Sequence, residues 1–119
     1  MFEIIYHKLT NSEKPVKLFI DKLECKLKVK MMFSIKLLKE LGYKLREPYS
    51  KHLDDGIFEL RAQSGNNIAR VLYFFFVGNK IILTHGFIKK TQKTPKEEID
   101  RAKAYRKDYY KQEGLNKNG

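Results

Sequence analysis

Two hydrophobic periods alternate along the chain. Phe2 to His7 is short and rich in aromatic and branched residues, which predicts a strand. Thr10-Asn11-Ser12 offers capping hydroxyls and amides, and Pro15 suits a first helical turn. Val16, Phe19, Ile20, Leu23 and Leu27 then recur at helical spacing, and Met31, Ile35, Leu38 and Leu41 repeat it until Gly42. These two stretches predict an αα-hairpin whose Met and Leu residues belong to the core. After Pro48 the period shortens. Gly56 to Gln63, Ile68 to Val77 and Lys80 to Lys89 read as three consecutive strands, joined by turns at Gly65-Asn66 and Gly78-Asn79. Thr94-Pro95-Lys96-Glu97 supplies an N-cap, a first-turn proline and a capping-box glutamate for a last helix ending near Tyr110. The expected order is β-α-α-β-β-β-α, an α+β domain over 1–111 with a polar tail over 112–119. Its sheet is mainly antiparallel, with the αα-hairpin on one face.

The turns set a register, and the register sorts the side chains. A two-residue turn at Gly78-Asn79 places Arg70 opposite Phe87, Leu72 opposite His85 and Tyr73 opposite Thr84; Gly65-Asn66 places Arg61 opposite Arg70. One face then carries Phe58, Leu60, Ala62, Ala69, Val71, Tyr73, Phe75, Val77, Ile82, Thr84, Gly86 and Ile88, a core for the two early helices. The other carries an apolar end (Leu72, Phe74, Phe76, Leu83), suited to the last helix, and a charged end built from Glu59, Arg61, Arg70, His85 and Lys89. A bulge near Gly86 would move Lys89 to the opposite face.

Charge changes the meaning of that second face. The 119 residues carry 25 Lys+Arg against 14 Asp+Glu, a formal net charge of +11, which favours polyanionic partners such as RNA, DNA or an anionic membrane. Like charges facing each other across strands cost about 1 kcal/mol in water-like surroundings and about four times that under partial burial. A phosphate between Arg61 and Arg70 would turn that repulsion into charge-assisted hydrogen bonds. The competing reading is an Arg-Glu-Arg surface network separated by water. Lys51, His52, Lys90, Lys93, Arg101 and Arg106 cluster around the patch in sequence and could follow a phosphodiester backbone. For the last helix, a solvated charged face with pairs such as Glu97-Arg101 is the plainer alternative. Tyr105, Tyr109 and Tyr110 could stack on bases, although at least one is expected to pack that helix onto the sheet.

Other chemistries find less support. Cys25 is the only cysteine, with no His or Cys spaced for a metal, so neither a disulfide, a metal nor another cofactor is expected. No signal peptide is read at Met1-Phe2-Glu3-Ile4-Ile5-Tyr6, and the longest apolar run, Val71 to Val77, is far too short for a membrane span. A cytoplasmic protein without membrane contact is expected.

Two stretches add a resemblance. Lys51-His52-Leu53-Asp54-Asp55-Gly56-Ile57-Phe58-Glu59-Leu60-Arg61 resembles the K-x-L-x-x-G-L-[YF]-E-L-R pattern of the phage-derived, HigB-type branch of the RelE toxin superfamily. His85-Gly86-Phe87-Ile88-Lys89-Lys90-Thr91-Gln92-Lys93-Thr94-Pro95 is similar to its H-G-F-x-K-K-T-x-K-T-P signature, and Arg70 to Phe74 to its central strand. The resemblance runs over roughly residues 2 to 110. It implies a RelE-like fold and a type II toxin that cuts mRNA in the ribosomal decoding site. It also implies neutralisation by a HigA-like helix-turn-helix antitoxin, with operator DNA bound through the toxin–antitoxin complex. By the same analogy, Arg61, Arg70 and Lys89 or Lys90 would stabilise the phosphate. Glu59 and His85 would serve as acid or base, roles that Lys51 and His52 could also fill. Glu59 as an orienter of the arginines and His85 as a structural histidine are the alternatives. A non-catalytic RNA-binding module or degenerate toxin, and a relative acting on another target, remain the competing functions.

Overall fold

The computed structural model describes residues 1–114. The strands are β1 (Glu3–Tyr6), β2 (Ser50–Asp54), β3 (Ile57–Ser64), β4 (Asn67–Phe76) and β5 (Lys80–Lys89); the helices are α1 (Pro15–Asp21), α2 (Cys25–Leu41) and α3 (Lys96–Gln112). They form one five-stranded mixed sheet in the order β1-β5-β4-β3-β2, with β1 parallel to β5 and the other neighbours antiparallel. α3 extends through Gln112, the first residue of the expected tail, and 115–119 lie outside the described residues.

The helical pattern from Val16 to Leu27 is interrupted. α1 ends at Asp21, and Glu24 caps α2 by accepting from the backbone N–H of Lys26 at 3.3 Å and Leu27 at 3.1 Å, so Leu27 belongs to the second helix. Nor do Thr10 to Ser12 cap α1: its N-cap is Lys14, while Asn11 accepts from the Glu13 backbone at 3.0 Å.

Both helices lie on one sheet face. Val16, Leu27, Met31 and Leu38 pack there against Leu60, Ala69, Val71, Tyr73, Ile81 and Leu83. On the other face, Ile57, Leu72, Phe74 and Ile82 meet Ala102 and Tyr109 of α3. Ile82 and Leu83 therefore exchange the faces expected of them. Phe76 pairs with Lys80, leaving Val77-Gly78-Asn79 as a three-residue loop that slips the register by one. An irregularity at Thr84 then restores it: Tyr73 pairs with Leu83 rather than Thr84, but Leu72 still meets His85 and Arg70 still meets Phe87. The bulge precedes Gly86, so Lys89 keeps its register opposite Ile68.

β2 is an additional strand in a segment expected to be loop. Its first residue is fixed from inside, where Ser50 Oγ hydrogen-bonds the Tyr73 hydroxyl. Burial pushes that phenol up to about 12.

α1 approaches the sheet closely at Gly86, where a Cβ would come within 2.3 Å of the Phe19 ring. Gly86→Ala should therefore cost about 1–3 kcal/mol of stability through overpacking. Urea denaturation checks this, and an unchanged midpoint would show that the contact relaxes freely.

Candidate nucleic-acid interface

Arg61 and Arg70 are cross-strand partners, as the turn at Gly65-Asn66 predicts. What lies between and around them is protein. Glu59, 1% exposed, places Oε2 2.9 Å from Arg61 Nε and Oε1 3.5 Å from Arg70 Nε. Neither Nε–H makes a hydrogen bond to the carboxylate, so these contacts are ion pairs. The Thr94 hydroxyl also donates to Glu59 Oε1. Thr94 is thus turned inward, and α3 begins from Pro95 without a side-chain cap or the expected capping box.

The loop after β5 folds back so that its carbonyls face the arginines. Arg70 donates from Nη2 to the Thr91 and Gln92 carbonyls, the latter at 3.1 Å, and from Nη1 to that of Lys93 at 3.4 Å. Its exposure is 0%, which excludes direct contact with a phosphate in this conformation. Desolvation lowers the Arg70 pKa; the Glu59 charge opposes that shift and Arg61 reinforces it. Arg61 differs. Its Nη2 donates to the Gln92 carbonyl and Oε1, each at 3.1 Å, while the side chain stays 15% exposed. These contacts occupy Nε and Nη2, and a guanidinium has further donors on Nη1.

The other expected residues divide in the same way. Lys51 and His52 line a cleft of about 320 Å³ with Leu53, Glu59, Gln92, Lys93 and Thr94. Lys51 pairs with Glu59 in the ladder, so β2 brings it to the face of Arg61. His52 Nε2 accepts from the Gly56 backbone at 3.1 Å and is exposed. Lys89, Lys90, Lys93 and Arg101 are exposed. Arg106 is occupied instead, holding the Asp55 carbonyl at 2.6 Å and its carboxylate at 2.8 Å.

His85 does not face the cleft. It is 4% exposed, its Nε2 lies 3.0 Å from Glu98 Oε1 and its Nδ1 lies 3.1 Å from Thr84 Oγ1, so both ring nitrogens are engaged beneath α3. His7 is a second histidine under that helix, 3.0 Å from Asp108 and beside Tyr105 and Tyr109. Of the three tyrosines considered for base stacking, Tyr109 is buried, and it and Tyr110 pack on Phe74 and Phe76. Tyr105 lies against His7 and His85.

Burial lowers the pKa of both histidines. Asp108 opposes the shift at His7; Glu98 opposes it at His85, where Arg101 adds to it. A histidine with a depressed folded pKa binds its proton less readily folded than unfolded. Stability is therefore full above about pH 6.5 and falls as the pH drops toward the folded values. The slope is at most about 1.4 kcal/mol per pH unit for each histidine. Urea midpoints measured from neutral to mildly acidic pH should decline, with a shallower decline in His85→Gln. A flat profile in the wild type would rule this out.

The fold and the cleft define a class: a basic α+β domain that presents exposed cations on one sheet face beside a loop held by one buried and one partly exposed arginine. The chain belongs to the family described as phage derived protein Gp49-like (DUF891), whose model matches residues 18–107. This is a family of RelE/toxin-type proteins. No curated protein matches the chain. No helix among the described residues is long and apolar enough to cross a membrane.

Two features of the site lay outside the sequence reading. One is β2, whose Ser50-Lys51-His52-Leu53-Asp54 is too polar to show strand periodicity. The other is Gln92, whose carbonyl and side chain both meet Arg61. No residue letter signals an inward carbonyl; the only available hint was Thr94, a hydroxyl close in sequence to the lysine-rich loop.

Proposed function

We propose that this protein is the toxin of a type II toxin–antitoxin pair and cuts mRNA on the ribosome. The observation that carries the reading is the partly exposed Arg61 guanidinium, fixed between Glu59 and Gln92 beside the cleft of Lys51 and His52. The reaction is attack of a ribose 2′-hydroxyl on the adjacent phosphate. The new bond joins O2′ to phosphorus and the P–O5′ bond breaks, leaving a 2′,3′-cyclic phosphate and a 5′-hydroxyl. A base removes the 2′-hydroxyl proton and an acid delivers one to O5′.

Arg61 supplies positive charge to the pentavalent phosphate, with Lys51 and the exposed Lys89, Lys90 and Lys93 around it. Lys51, on the face of Arg61, takes an acid or base role; His52, which lines the same cleft but pairs with Phe58 and packs its ring against it, is the second candidate. Glu59 orients Arg61, Arg70 holds the loop, and His85 secures α3. The ribosome positions the substrate, so free RNA is cut weakly. A HigA-like antitoxin neutralises the protein, operator DNA is bound through that complex, and the site of action is the cytoplasm.

The test adds purified protein to translating ribosomes and maps mRNA 5′ ends. Cuts within codons support the enzyme. The enclosure of Glu59, Arg70 and His85 favours the second reading, a non-catalytic RNA-binding module, and RNA binding without cuts would establish it. Growth arrest with intact mRNA would point to another target.

A further inference from the structure

A larger groove, about 630 Å³, opens beside the cleft between α2, the residues preceding β2, and β3. Val29 and Phe33 of α2, Tyr49, Ile68, Arg61 and Gln92 are among its walls. Ile68 forms a buried part of the wall, but three other apolar residues stand out to solvent: Val29 is 63% exposed, Phe33 52% and Tyr49 38%. The Phe33 and Tyr49 rings meet edge-on, with centroids 6.3 Å apart. Core packing does not account for such a group. A mostly apolar hollow with a few convergent polar donors has the composition of a small-ligand site.

Two observations identify the occupant. Gln92 lines both the groove and the Lys51–His52 cleft, and Arg61 lines the groove while paired to Glu59 in the cleft wall. A ligand passing from one to the other therefore crosses the partly exposed guanidinium. The chain also carries a net charge of +11, which suits a polyanion. Aromatic faces beside a cationic track are the means by which proteins hold single-stranded RNA: bases stack while phosphates follow the charge.

We propose that this groove is a nucleobase subsite, receiving an unstacked base of single-stranded RNA against Phe33 and Tyr49 while Arg61 holds the neighbouring phosphate. The inference rests on the RNA-directed reading above and adds to it a site that grips the base.

The experiment measures binding of the full chain to a short 2′-O-methyl RNA, which cannot supply the attacking hydroxyl. Affinity is compared with the same oligomer carrying abasic riboses. Wild type should bind the intact oligomer about tenfold more tightly, the effect expected of one stacked base. Phe33→Ala and Tyr49→Ala should each lose about that factor on the intact oligomer, lose little on the abasic one, and keep the salt dependence. Phe33→Trp should retain binding, which separates stacking from misfolding.

Equal wild-type affinity for both oligomers overturns the subsite. So does unaltered RNA binding by the alanine variants, including the case in which they lose only a protein partner. The two proposals fail separately. Base-dependent binding without mRNA cleavage preserves the subsite and removes the nuclease. Cleavage indifferent to Phe33 and Tyr49 preserves the nuclease and removes the subsite.

Discussion

Arg70→Met should cost about 3–5 kcal/mol of folding free energy, a large part of the roughly 5–15 kcal/mol that a domain possesses. Methionine preserves much of the side-chain volume, so the loss is not chiefly a cavity effect. It arises because the Thr91 carbonyl loses its side-chain donor, the Gln92 and Lys93 carbonyls each lose one of two, and the 1%-exposed Glu59 loses one of its two arginines. An acceptor stranded away from water bears its full desolvation cost. Lysine should rescue little, because one ammonium cannot reproduce the planar fork spanning three carbonyls. Adding Glu59→Gln to Arg70→Met should recover part of the loss by removing the uncompensated charge. Urea unfolding of the three proteins measures this. A loss below about 1 kcal/mol for the single variant, the ordinary scale of point substitutions, would show that water replaces the guanidinium without penalty.

Arg61→Ala is expected to act on the reaction more than on the fold. Removing one preorganised donor from a developing oxyanion typically slows the chemical step by a hundredfold or somewhat more, and about a hundredfold is expected here. The substitution leaves Glu59 with Arg70 and Thr94 as partners, so its destabilisation should be well below that of Arg70→Met. Cleavage per ribosome, measured beside the urea midpoint, separates the two effects. Arg61→Lys should remain close to the alanine variant, since a point charge cannot hold Glu59, Gln92 and a phosphate together. Near-normal cleavage by Arg61→Ala would remove this residue from the mechanism.

The unequal status of these two arginines marks where the sequence stopped being readable. Their pairing was legible because Gly65-Asn66 fixes the register of β3 and β4. The sorting of β5 was partly legible. A longer loop at Val77-Gly78-Asn79 slipped the strand and a bulge at Thr84 slipped it back, so Phe87 and His85 met their expected partners while Ile82 and Leu83 changed faces. The burial of Arg70 was not legible, because its partners are peptide carbonyls that come from a loop more than twenty residues away in sequence. β2 was hidden because an edge strand with one exposed side has little need of apolar alternation. The two helices and most of their core positions followed from a period of 3.6, although Leu41, expected in the core, is 41% exposed at the end of α2; the break at Lys22–Glu24 depended on a glutamate cap that the spacing of apolar residues does not encode.

Apart from the Gln92 side chain, which also meets Arg61, the segment from Thr91 to Lys93 is held to the arginines through its main chain, and every residue type carries the same carbonyl. Its outward side chains are therefore uncoupled from its anchorage. Exchanging the amino acids at 90 and 93 would alter what the protein displays while leaving the shape of the display intact. Such a loop can diversify its surface chemistry rapidly while two inward-facing arginines stay fixed.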